Sequence, residues 1–244
     1  MIINSYIYGV AASYDVDAQA FFTAESAAGV TLTTTQKNAV NQLVVDCKAA
    51  NIWTKFKAVY PMVGGTATSH KFNLVNPQDT DAAFRLSFVG GLTHSANGIL
   101  GNGTNGYANT FLNMASVFTS GTSSIGIYNR VSNSNVNPFI GSLQLVSGSN
   151  NNIVRIAYPS TTTLRHFNRS NGNTQQTNHT TTNTLGFAAN SRQSNTLLQS
   201  IDNTGNIQTN TTSVTVGYTS LNLFLFGENN NGSITVYNLS LIHI

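Results

Sequence analysis

The sequence predicts a mainly β protein, a two-sheet β-sandwich preceded by a short helical segment. Three observations carry that expectation. Asn, Thr and Ser number 33, 31 and 24 among the 244 residues, and these types favour turns and strand faces over helix interiors. Hydrophobic residues still make up 40% of the chain, enough to build a core and too many for a disordered polymer. From Lys71 onward the apolar period changes from 3.6 to 2, which is the spacing of strands.

The elements follow in order. Ile2–Ala12 reads as a short strand or extended lead-in. Asp15 is suited to cap a short helix through Phe21, Phe22 and Ala24, with acids in the first turn as the helix dipole prefers. A stronger helix begins at Thr33, because Thr33-x-x-Gln36 is a capping-box pattern. Val40, Leu43, Val44 and Cys47 then recur at helical spacing, and Asn51 breaks the helix. Ile52, Trp53 and Phe56 are expected to fold back onto the sandwich, with Trp53 anchoring helix to sheet rather than stacking a ligand. Phe84, Leu86 and Phe88 alternate with Arg85, Ser87 and Val89, a half-buried strand. Further strands are expected near Tyr107–Leu112, Ser124–Tyr128, Phe139–Val146, Ile153–Tyr158, Thr163–Phe167, Leu185–Ala189, Leu197–Ile201, Leu221–Phe226 and Ser233–Tyr237. Asn/Gly-rich turns such as Asn171-Gly172-Asn173, Asp202-Asn203-Thr204-Gly205 and Asn229-Asn230-Asn231-Gly232 separate them. Many short strands so joined argue for a sandwich. Spacing alone leaves a jelly roll and an immunoglobulin-like arrangement both open.

Composition narrows the partners. Charged residues are 8% of the chain, against ~25% in ordinary globular domains. The net charge is +3, and the cations are scattered singly, Lys at or before Lys71 and Arg at or after Arg85. Nucleic-acid binders need clustered cations, so that partner is not expected. Cys47 is the only cysteine, which rules out an intramolecular disulfide and reads as a small apolar residue of the helix stripe. The first residues lack a cationic region, and their apolar stretch is too short to span a bilayer, so no membrane insertion is expected. Six Asn-x-Ser/Thr sequons, at Asn102, Asn168, Asn178, Asn210, Asn231 and Asn238, are what chance supplies in such a composition.

The segment Tyr60–Leu112 contains the phrases GGTATSHKFNL (Gly64–Leu74), DAAFRLSF (Asp81–Phe88) and GNGTNGYANT (Gly101–Thr110). Together with the helical run before it, from about Asp15, this block resembles a domain of bacteriophage tail and virion proteins. The resemblance implies a helical lead-in (residues 1–60) and a concanavalin A-like, laminin-G-type jelly roll (residues 61–238). It implies a non-enzymatic virion structural protein, tail-associated, made in the bacterial host cytoplasm, assembling with other virion proteins and as a homo-oligomer. The family normally supplies a further closing strand where this chain ends. The last residues, Leu239–Ile244, read LSLIHI, which a common sequencing adapter also encodes, and are expected to be a non-native tail on a truncated frame.

Two other functions stay open beside that one. A lectin-like module would recognise a host glycan through Asn, Gln and Thr hydrogen bonds and aromatic stacking. Its best loop candidates are Asn102, Asn105 and Tyr107, in a Gly-rich turn that lacks the Lys-Ser/Thr and helix of a phosphate loop. The alternative for those residues is that Asn and Gly merely permit the backbone the turn requires. A polysaccharide depolymerase, as occurs among concanavalin A-like folds, needs two opposed carboxylates and would depend on Asp202 or Glu228. No acid lies between Ala82 and Ile201, and no strand carries Glu-x-Asp-x-Glu. The five histidines (His70, His94, His166, His179, His243) show no metal-ligand spacing, and no G-x-S-x-G elbow marks a serine nucleophile. The expectation is therefore no catalytic residue, no metal and no cofactor.

Overall fold

The computed structural model describes residues 13–118, 121–130, 137–146, 151–160, 162–171, 173–181, 185–236 and 240–241. The lead-in expected at Ile2–Ala12 lies outside them. The helical segment consists of α1 (Val16–Ala27) and α2 (Thr34–Ala49). Asp15 caps α1 by accepting the Asp17 N–H. At α2 the Thr33 side chain takes the Gln36 N–H, and the Gln36 side chain takes the Thr33 N–H. Each such cap satisfies backbone donors that a helix start leaves without intrahelical partners. Lys48 of α2 bridges Asp15 and Asp17 at 2.6 Å each, tying the end of α2 to the start of α1. Asn51 follows α2 with φ of 58°, the left-handed stop that Asn tolerates.

The apolar faces of both helices meet the segment that follows. Ala18, Phe21, Phe22, Val40, Val44, Trp53, Val59, Val63, Phe72 and Leu74 form one cluster, with Leu43 and Cys47 packed on it. Trp53 is thus buried among the helices and residues 59–74, edge-on to Phe56 at 6.1 Å, and anchors the helices to that segment rather than to a sheet. Burial raises the Cys47 thiol above its ordinary range, with Asp46 adding to the effect. One short helix, α3 (Ala67–His70), is closed by a Thr66/Ser69 capping box.

The rest is β structure. In chain order the strands are β1 (Ser87–Val89), β2 (Leu92–Ser95), β3 (Gly98–Gly101) and β4 (Tyr107–Asn113); then, after the four-residue α4 (Met114–Val117), β5 (Ser123–Asn129), β6 (Asn137–Leu145), β7 (Asn151–Ser160), β8 (Thr163–Ser170), β9 (Thr177–Thr180), β10 (Gly186–Ser194), β11 (Leu197–Ile201), β12 (Ile207–Asn210), β13 (Asn222–Leu225), β14 (Gly227–Asn230), β15 (Ser233–Val236) and β16 (Ser240–Leu241). One sheet runs β1-β4-β13-β6-β7-β8-β9, with β14 also beside β6 and β15 beside β14. A second runs β12-β11-β10-β5, and β16-β3-β2 make a small third. Nearly every pairing is antiparallel; β14 runs parallel to β6. The sandwich-like arrangement matches the fold class expected and is compatible with a jelly roll. Its dry core brings Leu86, Ala108 and Leu112 together with Ile127, Phe139, Ile140, Val154, Ile156, Leu223, Leu225 and Phe226.

One difference from the sequence reading has a local cause. The half-buried strand expected over Phe84–Val89 begins only at Ser87. Asp81–Ala83 form a 3-10 turn, and Phe84 takes φ of 59°. Arg85 holds that turn by binding Asp81 at 2.9 Å and Asp79 at 3.2 Å, and the Phe84 carbonyl accepts the Tyr60 hydroxyl at 2.5 Å. Within the hexapeptide Leu239–Ile244, the described residues Ser240 and Leu241 pair with Leu100 and Ile99 of β3.

Candidate functional site

The loop residues Asn102, Asn105 and Tyr107 come together above Gly90 and Gly91. The Asn102 Oδ1 accepts the backbone N–H groups of Thr104, Asn105 and Gly106 at 3.0, 3.1 and 3.0 Å. Its Nδ2 donates to Asn105 Oδ1 at 2.8 Å, which also accepts the Gly91 N–H at 3.0 Å. Gly90 has φ of +71°, and a Cβ there would lie 2.1 Å from the Asn105 carbonyl oxygen; one on Gly91 would lie 2.1 Å from Asn102 Nδ2. The VGG and GNGTNG phrases are therefore two halves of one interlock. Tyr107 stacks on Phe224, ring centroids 4.8 Å apart. The two Asn side chains are exposed, yet most of their hydrogen-bonding capacity is engaged within the loop.

Where β8 and β9 of the large sheet face β5, β10 and β11, the contact between the two sheets is polar. β8 turns His166, Asn168 and Ser170 inward, β9 adds Thr177 and His179, and β5, β10 and β11 answer with Ser123, Asn190, Arg192 and Ser200, all buried. Asn168 joins the sheets: its Oδ1 accepts the Ser123 hydroxyl at 2.9 Å, and its Nδ2 donates to Ser123 O at 3.1 Å and Asn190 Oδ1 at 2.9 Å. Ser200 Oγ lies 2.8 Å from His179 Nε2 and 2.5 Å from Thr177 Oγ1, and His179 Nδ1 is 3.5 Å from Asp202 Oδ2. This is the order of a serine–histidine–aspartate row, but Ser200, His179 and Asp202 are each at most 3% exposed. A substrate carbonyl has no approach to a hydroxyl so enclosed, and Thr177 already competes for it. Burial pulls His179 below the ordinary imidazole range, against the pull of Asp202. His166, edge-on to His179 at 5.3 Å, is pulled down to about 3 by burial and then by His179.

The two acids of the sandwich have separate tasks. Burial pushes Asp202 up, but hydrogen bonds from the Thr204 hydroxyl, Thr204 N–H and Asn206 N–H outweigh it and hold the carboxyl below its usual range. Those bonds, at 2.7, 2.9 and 3.0 Å, shape the Asp202–Asn206 turn. Glu228 on β14 accepts from Arg155 Nη1 at 3.2 and 3.3 Å, and that guanidinium covers the Phe167 ring at 4.5 Å. Burial raises the Glu228 carboxyl, and Arg155 offsets part of the rise. Both acids are engaged in intramolecular contacts.

Histidines scattered in sequence pair in space, since His70 Nδ1 and His94 Nδ1 are 3.0 Å apart. Among the described residues, no group of three or more His, Cys, Asp or Glu is placed to hold a metal ion. Among them too, no helix is long and apolar enough to cross a membrane.

A cleft of about 1270 Å³ opens between α2, the Ile52–Tyr60 segment and the two large sheets. Its walls include Phe56, Leu112, Met114, Ile125, Ile140 and Leu223, with Arg192 among its lining residues. No family model and no curated protein sequence matches the chain. The cleft and the polar interior were both missed by sequence reasoning. The signal available was the period-2 row His166, Asn168, Ser170 on β8, a polar face that a strand ordinarily turns to solvent.

Proposed function

We propose that this chain is a non-enzymatic structural component of a bacteriophage virion, tail-associated and homo-oligomeric, that acts through its surfaces and assembles with other virion proteins. The observation that carries the reading is the use to which the phage-like block is put. Its Gly and Asn residues lock one loop against another, its Asp79, Asp81 and Arg85 hold a turn, and Tyr107 packs on Phe224. These are scaffold roles. The acids that a depolymerase would need, Asp202 and Glu228, are buried and bonded within the chain. Mass spectrometry of density-purified phage particles from a culture that carries this sequence tests the assignment. Peptides of this chain are expected in the particle band; their confinement to the particle-free fraction would overturn it.

A lectin-like role in binding a host surface glycan is the second reading, favoured by the exposed Asn102 and Asn105 beside the half-buried Tyr107. A glycan array separates the two, because a lectin must bind a defined sugar and lose it on Asn105→Ala.

A further inference from the structure

We propose that the outer face of the second sheet binds a neutral oligosaccharide of two or more sugar rings, stacked on Phe187 and Tyr128 and hydrogen-bonded by the polar row beside them. Register defines the face. Tyr128 of β5 lies opposite Phe187 of β10, Gly126 opposite Ala189, and Ser124 opposite Ser191, which also pairs with Gln199 of β11. By alternation these side chains point away from the buried Ile127, Ala188, Asn190 and Arg192. The face thus carries an aromatic row, a row of small residues and a polar row, about 7 Å from one to the next. Tyr128 and Phe187 are 41% and 46% exposed, and among the described residues no other aromatic side chain is as exposed. Facing aromatic residues on paired strands ordinarily stack to hold the strands together. These two stack on no ring among the described residues.

The Phe187 ring lies over Gly126, where a Cβ would come within 3.0 Å of its Cζ and 3.1 Å of its Cε2. What remains of the ring is open to solvent. An open aromatic face carries partial negative charge, which the C–H bonds on the flat side of a pyranose ring complement. The polar row is already linked: Ser124 Oγ donates to Ser191 Oγ at 2.9 Å, and Gln193 Nε2 donates to Gln199 Oε1 at 2.6 Å. That linkage orients the remaining hydroxyl and amide groups, which both donate and accept as sugar hydroxyls require. The row spacing puts them within reach of the second ring of a disaccharide. No charged side chain stands in the three rows, so the ligand is neutral. The face forms one wall of the cleft, and the segment opposite adds Lys55 and Lys57, both exposed, as further donors. An apolar protein surface laid here would leave the polar row without partners, whereas a sugar offers a C–H face and hydroxyls together.

The ligand class rests on the lectin-like reading and not on the virion assignment, and the contact is placed on the sheet rather than on the Asn102–Tyr107 loop. The recombinant full chain is screened against uncharged tetrasaccharides of glucose, mannose, galactose and N-acetylglucosamine and their sulfated counterparts, and binding is titrated by calorimetry. At least one uncharged tetrasaccharide is expected to bind. Phe187→Ala and Tyr128→Ala should each weaken it roughly tenfold or more, and Phe187→Tyr, which keeps a ring, should restore it. Leu145→Ala, at an exposed residue of the other sheet, should leave it unchanged. Thermal melts establish that each variant is folded, and Gln193→Ala in the polar row decides if the aromatic variants do not fold. Binding that is lost on Asn105→Ala and kept on Phe187→Ala overturns the proposal and leaves the lectin-like reading standing. No binding of any uncharged tetrasaccharide overturns both. Sulfated sugars that bind equally well to Phe187→Ala, or self-association lost on Phe187→Ala with no sugar bound, would mean a cation patch or a contact with a second copy, and either overturns the proposal.

Discussion

Replacing Glu25 with Gln should stabilise the protein at neutral pH and remove most of its stability loss toward alkaline pH. Glu25 lies on the inner face of α1, is 0% exposed, and neither carboxyl oxygen has a hydrogen-bond partner. Burial raises its pKa from 4.5 to about 8, against a weak opposing pull from Lys71. The folded state thus holds this proton more tightly than the unfolded chain. Its contribution to stability is fully present below pH 4.5 and is lost as pH rises through about 8. Linkage between those two values sets the cost of ionisation at roughly 3 kcal/mol at pH 7 and roughly 1 kcal/mol at pH 5. Gln has the same shape and leaves the same kind of polar group in the cluster, so the ionisation cost is what it removes. Urea unfolding of both proteins from pH 5 to 9 measures the difference. Trp53, the only tryptophan, sits in the same cluster and reports on it by fluorescence, with circular dichroism as the global probe. The gap between the curves should widen as pH rises. Parallel curves across that range would refute the argument, because they would mean that Glu25 ionises freely in the folded state.

Two further outcomes follow from other sites. His166 is buried, with its pKa pulled down to about 3 from 6.5, so its contribution is present above 6.5 and lost as pH falls toward 3. Acidification from pH 7 to 5 should cost about 2 kcal/mol through this group, opposing the effect of Glu25, and is read most cleanly in the Glu25→Gln background; acid-insensitive unfolding there would contradict it. Gly90→Ala should destabilise the fold by roughly 1–3 kcal/mol, since its Cβ would meet the Asn105 carbonyl oxygen in a left-handed backbone, and a shifted urea midpoint with an unchanged slope is the expected signature.

Much of the fold was legible because it depends on neighbours in sequence. Thr33 and Gln36 cap α2 across three residues, Asn51 stops it, and alternation marked β4 through β8. The hairpin β2–β3, with a two-residue turn at Ala96-Asn97, was too short to register, as were β9, β12 and β14. At Phe84–Leu86 the alternating pattern fitted a strand equally well. Only the ion pairs of Arg85 and the hydroxyl of Tyr60 made it a turn. The candidate loop was identified by composition, but its interlock with Gly90 and Gly91 needed two segments more than ten residues apart.

The sequence by itself determined the helical lead-in, the change to a two-residue period and the turn chemistry, because propensity and capping act over a few residues. The tertiary structure decided which faces are interior. His166, Asn168 and Ser170 share one face of β8 by alternation alone, but that face is buried because the other sheet covers it, with Ser123, Asn190 and Arg192 bonding to Asn168. Glu25 is enclosed because the segment from Val59 to Leu74 closes over α1. The enclosed guanidinium of Arg192 arises in the same way. Burial and charge balance depend on partners distant along the chain, and only the folded arrangement brings those partners into contact.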